Sequence, residues 1–163
     1  MLGTKVHIKD DRQKWDRMVK RSDDFGKNKN TVGIGLFTGK TKRAVIERGT
    51  GNEFGVNKTL PNGRVIKIPR RSFLRGWLIA FENRIQIFFF EQYVRYILGK
   101  QSLAATMKRL GLFGVAGVVG RIALGKDFKP NAPITIKKKG HTRVLEDTGE
   151  MIKNITRKWM NKK

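Results

Sequence analysis

Cysteine is absent from the chain, which excludes disulfide frameworks, thiolate nucleophiles and cysteine-based zinc sites, and leaves the redox compartment open. Histidine is nearly absent: His7 and His141 stand one on each flank, outside HExxH or any similar metal-ligand spacing. Ser22, Ser72 and Ser102 lie outside a nucleophile-elbow pattern. Acidic residues are scarce, and the adjacent pairs Asp10-Asp11 and Asp23-Asp24 sit in basic surroundings near expected helix ends, where caps and solvated ion pairs outweigh acid–base chemistry. GTGNEFG over 49–55 is glycine-rich but lacks the GK[ST] ending and the preceding strand of a phosphate loop. These absences predict no catalytic, cofactor or metal site. The opening MLGTKVHIKDD holds no apolar stretch of signal-peptide length, so the expected location is the cytoplasm in which the chain is made.

What is present in excess is positive charge: 36 Lys and Arg against 13 Asp and Glu leave a net +23. Such a surplus repels itself in the compact state and attracts polyanions or acidic protein surfaces. The 39% of apolar residues is enough for a folded core, and a length of 163 residues predicts one domain over 1–163. Residues 77–120 are the least charged part, so the core is expected there, with the flanks supplying the basic surface.

Period and punctuation predict an α+β fold, in which helices, including a long amphipathic one, pack with a small antiparallel sheet and an extended basic loop. Ile8, Asp11, Trp15, Met18 and Val19 mark one face of an N-terminal helix within 1–28, anchored by Trp15, and SDDFGKNKN reads as a turn. Val32, Ile34 and Leu36 alternate with Thr31, Gly33 and Gly35, a strand whose second face is bare enough for another backbone to approach. Arg43–Glu47 reads as an extended piece or a short helix. Glycines and prolines punctuate 48–72, which reads as a loop. A long helix is expected from an N-cap near Ser72, burying Phe81, Ile85, Phe88, Phe89 and Val94. Glu82, Arg84, Glu91 and Arg95 interrupt its apolar surface and argue against a membrane span.

A second helix is expected from Ser102 to Leu124. Its eleven uncharged residues, Leu110–Gly120, fall short of the roughly 20 needed to cross a bilayer. Gly111, Gly114, Gly117 and Gly120 recur every third residue. Each costs about 1 kcal/mol relative to Ala inside a helix, so the strip implies close packing, inside the fold or between subunits, with the former favoured. In the basic C-terminal segment, 125–163, Pro130 and Pro133 exclude a continuous helix, and Thr135–Lys139 reads as a helical turn or strand. Met151, Ile152, Ile155 and Trp159 favour a closing helix, with a final strand as the alternative. The basic clusters Arg70-Arg71, Lys137-Lys138-Lys139 and the Lys158–Lys163 tail are the candidate contacts to DNA or an acidic protein ring. Aromatics are not interleaved with them, which disfavours single-strand base stacking.

Three segments in order carry a family resemblance. They are Asn52-Glu53-Phe54-Gly55, then Ile68-Pro69-Arg70-Arg71-Ser72-Phe73-Leu74-Arg75, then Lys129-Pro130-Asn131-Ala132-Pro133, continuing through Thr135-Ile136-Lys137-Lys138-Lys139-Gly140 to Leu145-Glu146-Asp147-Thr148-Gly149. Together they resemble the virion morphogenesis, or tail-completion, proteins of tailed bacteriophages, in which an NEFG loop precedes IPxRPFLR, a helical pair and an APxTIxxKG…PLIDTG ending. The likeness covers roughly residues 30–156. Ser72 stands where the family has Pro, Val144-Leu145-Glu146 where it has Pro-Leu-Ile, and the chain ends soon after Ile155, where relatives often continue into a further strand.

The resemblance implies a non-enzymatic head–tail joining protein of the neck. It implies a homo-oligomeric ring, on the order of six or twelve copies, between the portal-associated connector and the tail terminator or tail tube, around the path of the phage DNA. The implied location is the virion, with the host cytoplasm during assembly and no membrane. The motif residues Asn52, Glu53, Phe54, Gly55, Pro69, Phe73, Leu74, Arg75, Pro133, Asp147, Thr148 and Gly149 then read as architecture, with the IPxRxFLR segment orienting a loop onto the long helix and Asp147-Thr148-Gly149 capping the last element. Two other readings fit the charge: a basic nucleic-acid-binding protein of ribosomal or nucleoid type, and a membrane-active protein using 77–98 and 110–124.

Overall fold

The computed structural model describes residues 11–27, 31–59 and 61–160. In order they form α1 (Arg12–Lys27), β1 (Thr31–Gly35), α2 (Arg43–Phe54), β2 (Val56–Thr59), β3 (Val65–Ile68), α3 (Leu74–Ala80), α4 (Glu82–Ile97), α5 (Leu103–Leu124), α6 (Pro133–Lys139), α7 (Glu150–Asn154) and β4 (Thr156–Met160). The fold is α+β. β1 pairs antiparallel with β4, setting Ile34 opposite Arg157 and Gly33 opposite Lys158, and β2 and β3 form a separate antiparallel hairpin.

α5 is the scaffold. Ser102 caps it, accepting the Ala105 amide at 3.2 Å, and Gly125 ends it in the left-handed conformation at φ 60°. The glycine strip faces inward: a Cβ would collide with Arg157 at Gly111, with Ile34 at Gly114 and with the Trp77 indole at Gly117. Close approach is therefore intramolecular for these three, and only Gly120 opens onto free space. The strand meets the glycine strip with its apolar face, through Ile34, whereas its bare face at Gly33 and Gly35 lies against the side chains of Phe37, Met160 and Leu74. At 22 residues α5 is, by length and composition, long and apolar enough to cross a membrane, which its eleven uncharged residues alone are not. Around its inner face cluster Val45, Phe73, Trp77, Val118, Ile122, Phe128, Leu145, Met151 and Ile155. Burying a side chain such as Phe73, which is 1% exposed, contributes on the order of 2–3 kcal/mol.

Four expectations are corrected. α1 runs on to Lys27 within the segment read as a turn, whose residues 28–30 lie outside the described ones, and Trp15 is no anchor, being 65% exposed. α1 meets α4 through Arg21 on the Tyr96 carbonyl (2.8 Å), Ser22 on the Tyr93 hydroxyl (2.7 Å) and Phe25 edge-on to Tyr93; Trp15, on the face of Ser22, precedes these contacts and is left exposed, as is Val19. His7, Ile8 and Asp10 lie outside the described residues.

The segment 48–72 is not one extended loop. α2 continues through Gly49 and Gly51 to Phe54, and the hairpin follows. Gly49 is buried against Leu36 with no room for a Cβ, so a glycine that reads as punctuation is a packing residue.

The long helix is broken at Phe81 (φ −118°, ψ 18°) into α3 and α4, and Ser72 does not cap it. Phe81, Ile85, Phe88 and Val94 are half-buried and Phe89 is exposed, whereas Gln92 and Tyr96 are the buried positions of α4. Finally, the expected closing helix is only the short α7, which holds Met151 and Ile152 and stops before Ile155, and the alternative, a final strand, follows it as β4 with Trp159 exposed on it. Pairing with β1 satisfies backbone groups that an isolated C-terminal helix would leave to water.

Candidate functional site

The last turn of α2, the segment leading into α3 and the segment after α5 meet at one polar node. Glu53 is buried, and its carboxylate accepts the Ser72 hydroxyl at 2.6 Å and the amides of Leu74 and Arg75 at 2.9 and 3.0 Å. It therefore neutralises amides that the first turn of α3 leaves unpaired, at the positive end of the helix. The Ser72 hydroxyl thereby ties the corner before α3 to the last turn of α2.

Arg71 extends the node on the other side. Its backbone amide donates to the Asn52 carbonyl at 2.6 Å. Its guanidinium donates to the carbonyls of Lys129 (2.8 Å) and Pro130 (2.9 Å) and to the side-chain oxygens of Asn52 and Asn131 (both 3.3 Å). Asn131 passes the connection on, donating to the carbonyls of Thr142 (3.3 Å) and Arg143 (3.0 Å). Burial lowers the proton affinity of Arg71 from its ordinary value, and its charge is held by neutral oxygens alone. Gly55, at φ 75°, lets the chain pass so close that a Cβ would lie 3.0 Å from the Arg70 nitrogen. The three motif segments are thus brought together by direct contacts between their own residues.

The remaining motif residues surround the node. Phe73 is core, Leu74 and Pro69 are half-buried, and the Arg75 guanidinium lies 5.6 Å from the ring centre of the exposed Phe54. Pro133 occupies the first turn of α6, where its missing N–H costs nothing. Thr148 Oγ1 accepts the Glu150 amide at 3.4 Å and Gly149, at φ 72°, starts α7, while Asp147 is exposed. Glu150 ties α7 to α2 through Arg48 at 2.7 Å and Lys42 at 3.5 Å, and the Arg48 hydrogen bond holds its carboxyl below the usual range.

The candidate basic contacts divide. Arg70, Lys137 and Lys138 are exposed and available. Arg71 is not, because adjacent residues of an extended segment point to opposite sides and Arg71 takes the inner one. Lys139 is half-buried with its ammonium on the Glu146 carbonyl; burial lowers its proton affinity, Asp147 opposes that, Arg71 adds to it and Glu146 opposes it.

Between the hairpin and the α6–α7 region lies an open groove of about 1230 Å³, with Phe54, Ile66 and Ile134 on its walls and Lys67, Arg70 and Lys129 among its cations. Among the described residues no group of three or more His, Asp or Glu is placed to hold a metal. His141 is half-buried, and its Nδ1 has no hydrogen-bond partner among the described residues. Asp11 acts as the expected cap, accepting the Lys14 amide at 3.1 Å.

Sequence reasoning singled out Glu53 by its motif and missed what it does, and it missed Asn131 as a relay. One signal was there to find: Glu53 is one of two acidic residues between 31 and 76, in a segment otherwise basic. No protein-family model, curated protein or solved structure matches the chain.

Proposed function

We propose that this chain is a structural protein of a tailed-phage neck, a tail-completion or head–tail joining component that assembles as a ring between connector and tail tube around the DNA path. The observation that carries the reading is the polar node: segments 52–55, 68–75 and 129–131, far apart in sequence and each resembling a family motif, are bonded to one another through Glu53, Arg71 and Asn52. The exposed cations Lys58, Arg64, Lys67 and Arg70 on and beside the hairpin, with Lys137 and Lys138 on α6, suit an acidic neighbouring ring or passing DNA. In this reading the chain has no catalytic step, and its partners are its own copies, the connector, and the terminator or tube.

Deleting the gene from the phage genome that carries it should give DNA-filled heads and separate tails in electron micrographs of lysates, with infectious yield restored by supplying the protein. Normal, infectious particles from the deletion would contradict the proposal. The second reading, a basic nucleic-acid-binding protein, is favoured by one feature, the absence of any acidic residue from Gly55 to Arg71. It requires the free chain to bind duplex DNA tightly at physiological salt, with a steep loss of affinity as salt rises.

A further inference from the structure

α4 presents two different faces. Phe88 stacks on Phe113 of α5 at 4.3 Å, and Gln92 and Tyr96 are buried on the same side. On the opposite side lie Asn83, Ile87, Phe90, Val94 and Ile97, spaced four, three, four and three residues apart. That spacing is the seam of a helix that packs against another helix. Among the described residues nothing covers its middle: Ile87 is 62% exposed and Phe90 64%. No charged residue falls on the seam. Along one margin stand Arg84 and Glu91, both exposed and neither in an ion pair among the described residues. Seven residues apart, about 10 Å along the axis, they cannot reach each other on one helix.

We propose that the seam of α4 binds the same seam of a second copy, antiparallel about a two-fold axis. The charge distribution selects this occupant. A chain of net +23 repels its own copies almost everywhere, but α4 carries Glu82 and Glu91 against Arg84 and Arg95, a net charge of zero. Antiparallel pairing sets Ile87 of one copy against Phe90 of the other and Asn83 against Val94. In that register Glu91 on each margin faces Arg84 of the other copy, so one pairing covers the apolar face and supplies both missing ion-pair partners. A duplex or an acidic protein would find no cation along the seam to hold it. Because a ring around a polar axis is built from head-to-tail contacts, the two-fold pair is a form of the free chain and does not depend on the neck reading.

Sedimentation equilibrium of the full chain over a range of concentrations tests this, with far-UV circular dichroism to show that each variant is folded. The wild type should be a dimer, and Phe90→Glu should weaken it at least 100-fold while leaving the spectrum unchanged. Arg84→Glu and Glu91→Arg should each weaken the dimer roughly tenfold, since each breaks both symmetry-related pairs. The double exchange Arg84→Glu with Glu91→Arg should return it to near the wild-type constant. A monomer at every concentration, a dimer indifferent to Phe90→Glu, or an exchange that fails to restore affinity would each overturn the pairing. So would a monomer that floats with phosphatidylcholine vesicles, which would assign the seam to lipid.

Discussion

Arg71→Ala should lower the unfolding free energy by about 2–4 kcal/mol, read as a shift of the urea midpoint at unchanged slope. The substitution strands the carbonyls of Lys129 and Pro130 and the side-chain oxygens of Asn52 and Asn131, all of which Arg71 now satisfies. Their position beside an open groove admits some water, which keeps the loss below what a sealed core would show. Arg71→Lys should recover less than half, because an ammonium keeps the charge but cannot reproduce the planar fork. Arg70→Ala next door, at an exposed position, should stay within about 0.5 kcal/mol. Equal effects at 70 and 71 would show that the node does not hold the segments together.

Gly117→Ala and Gly120→Ala should move the thermal midpoint in opposite directions. Both substitutions gain up to about 1 kcal/mol of helix propensity. At Gly117 the new methyl would collide with the Trp77 indole, a rigid, buried ring with Phe113 edge-on beside it, so overpacking of about 1–3 kcal/mol prevails. At Gly120 nothing lies within 4 Å, and only the gain remains. For a chain of this size 1 kcal/mol corresponds to about 2–4 °C, so calorimetry separates the two clearly. Shifts of the same sign would mean that the strip is not packed against Trp77.

The same strip marks how far the sequence could be read. Ser102 and Gly125 bracket α5 with local signals, a hydroxyl cap and a left-handed glycine, and its limits were legible to the residue. The strand at Thr31 was legible too, because alternation is local; that its bare face meets the side chains of Phe37, Met160 and Leu74 was not. Elements set by distant partners were not. Trp15 is exposed because it precedes by about two turns the part of α1 that meets α4, and β4 is a strand because β1 lies beside it. Gly49 and Gly51 disguised the end of α2 as a loop. At the node, the sequence reads Glu53 as architecture, Arg71 as an exposed contact and Asn131 as a motif residue without a role; which of two neighbouring arginines turns inward depends on where the 129–131 segment returns. No local pattern encodes that return.

The central claim, that this chain is a neck component, is tested most directly by a cryo-electron reconstruction of intact particles. The account predicts a ring of density at the head–tail junction into which α5, the β1–β4 pair and the β2–β3 hairpin fit, with the hairpin and α6 cations turned toward an acidic neighbour or the DNA. Purified, infectious particles that lack the chain, or density for it anywhere other than the junction, would contradict the account.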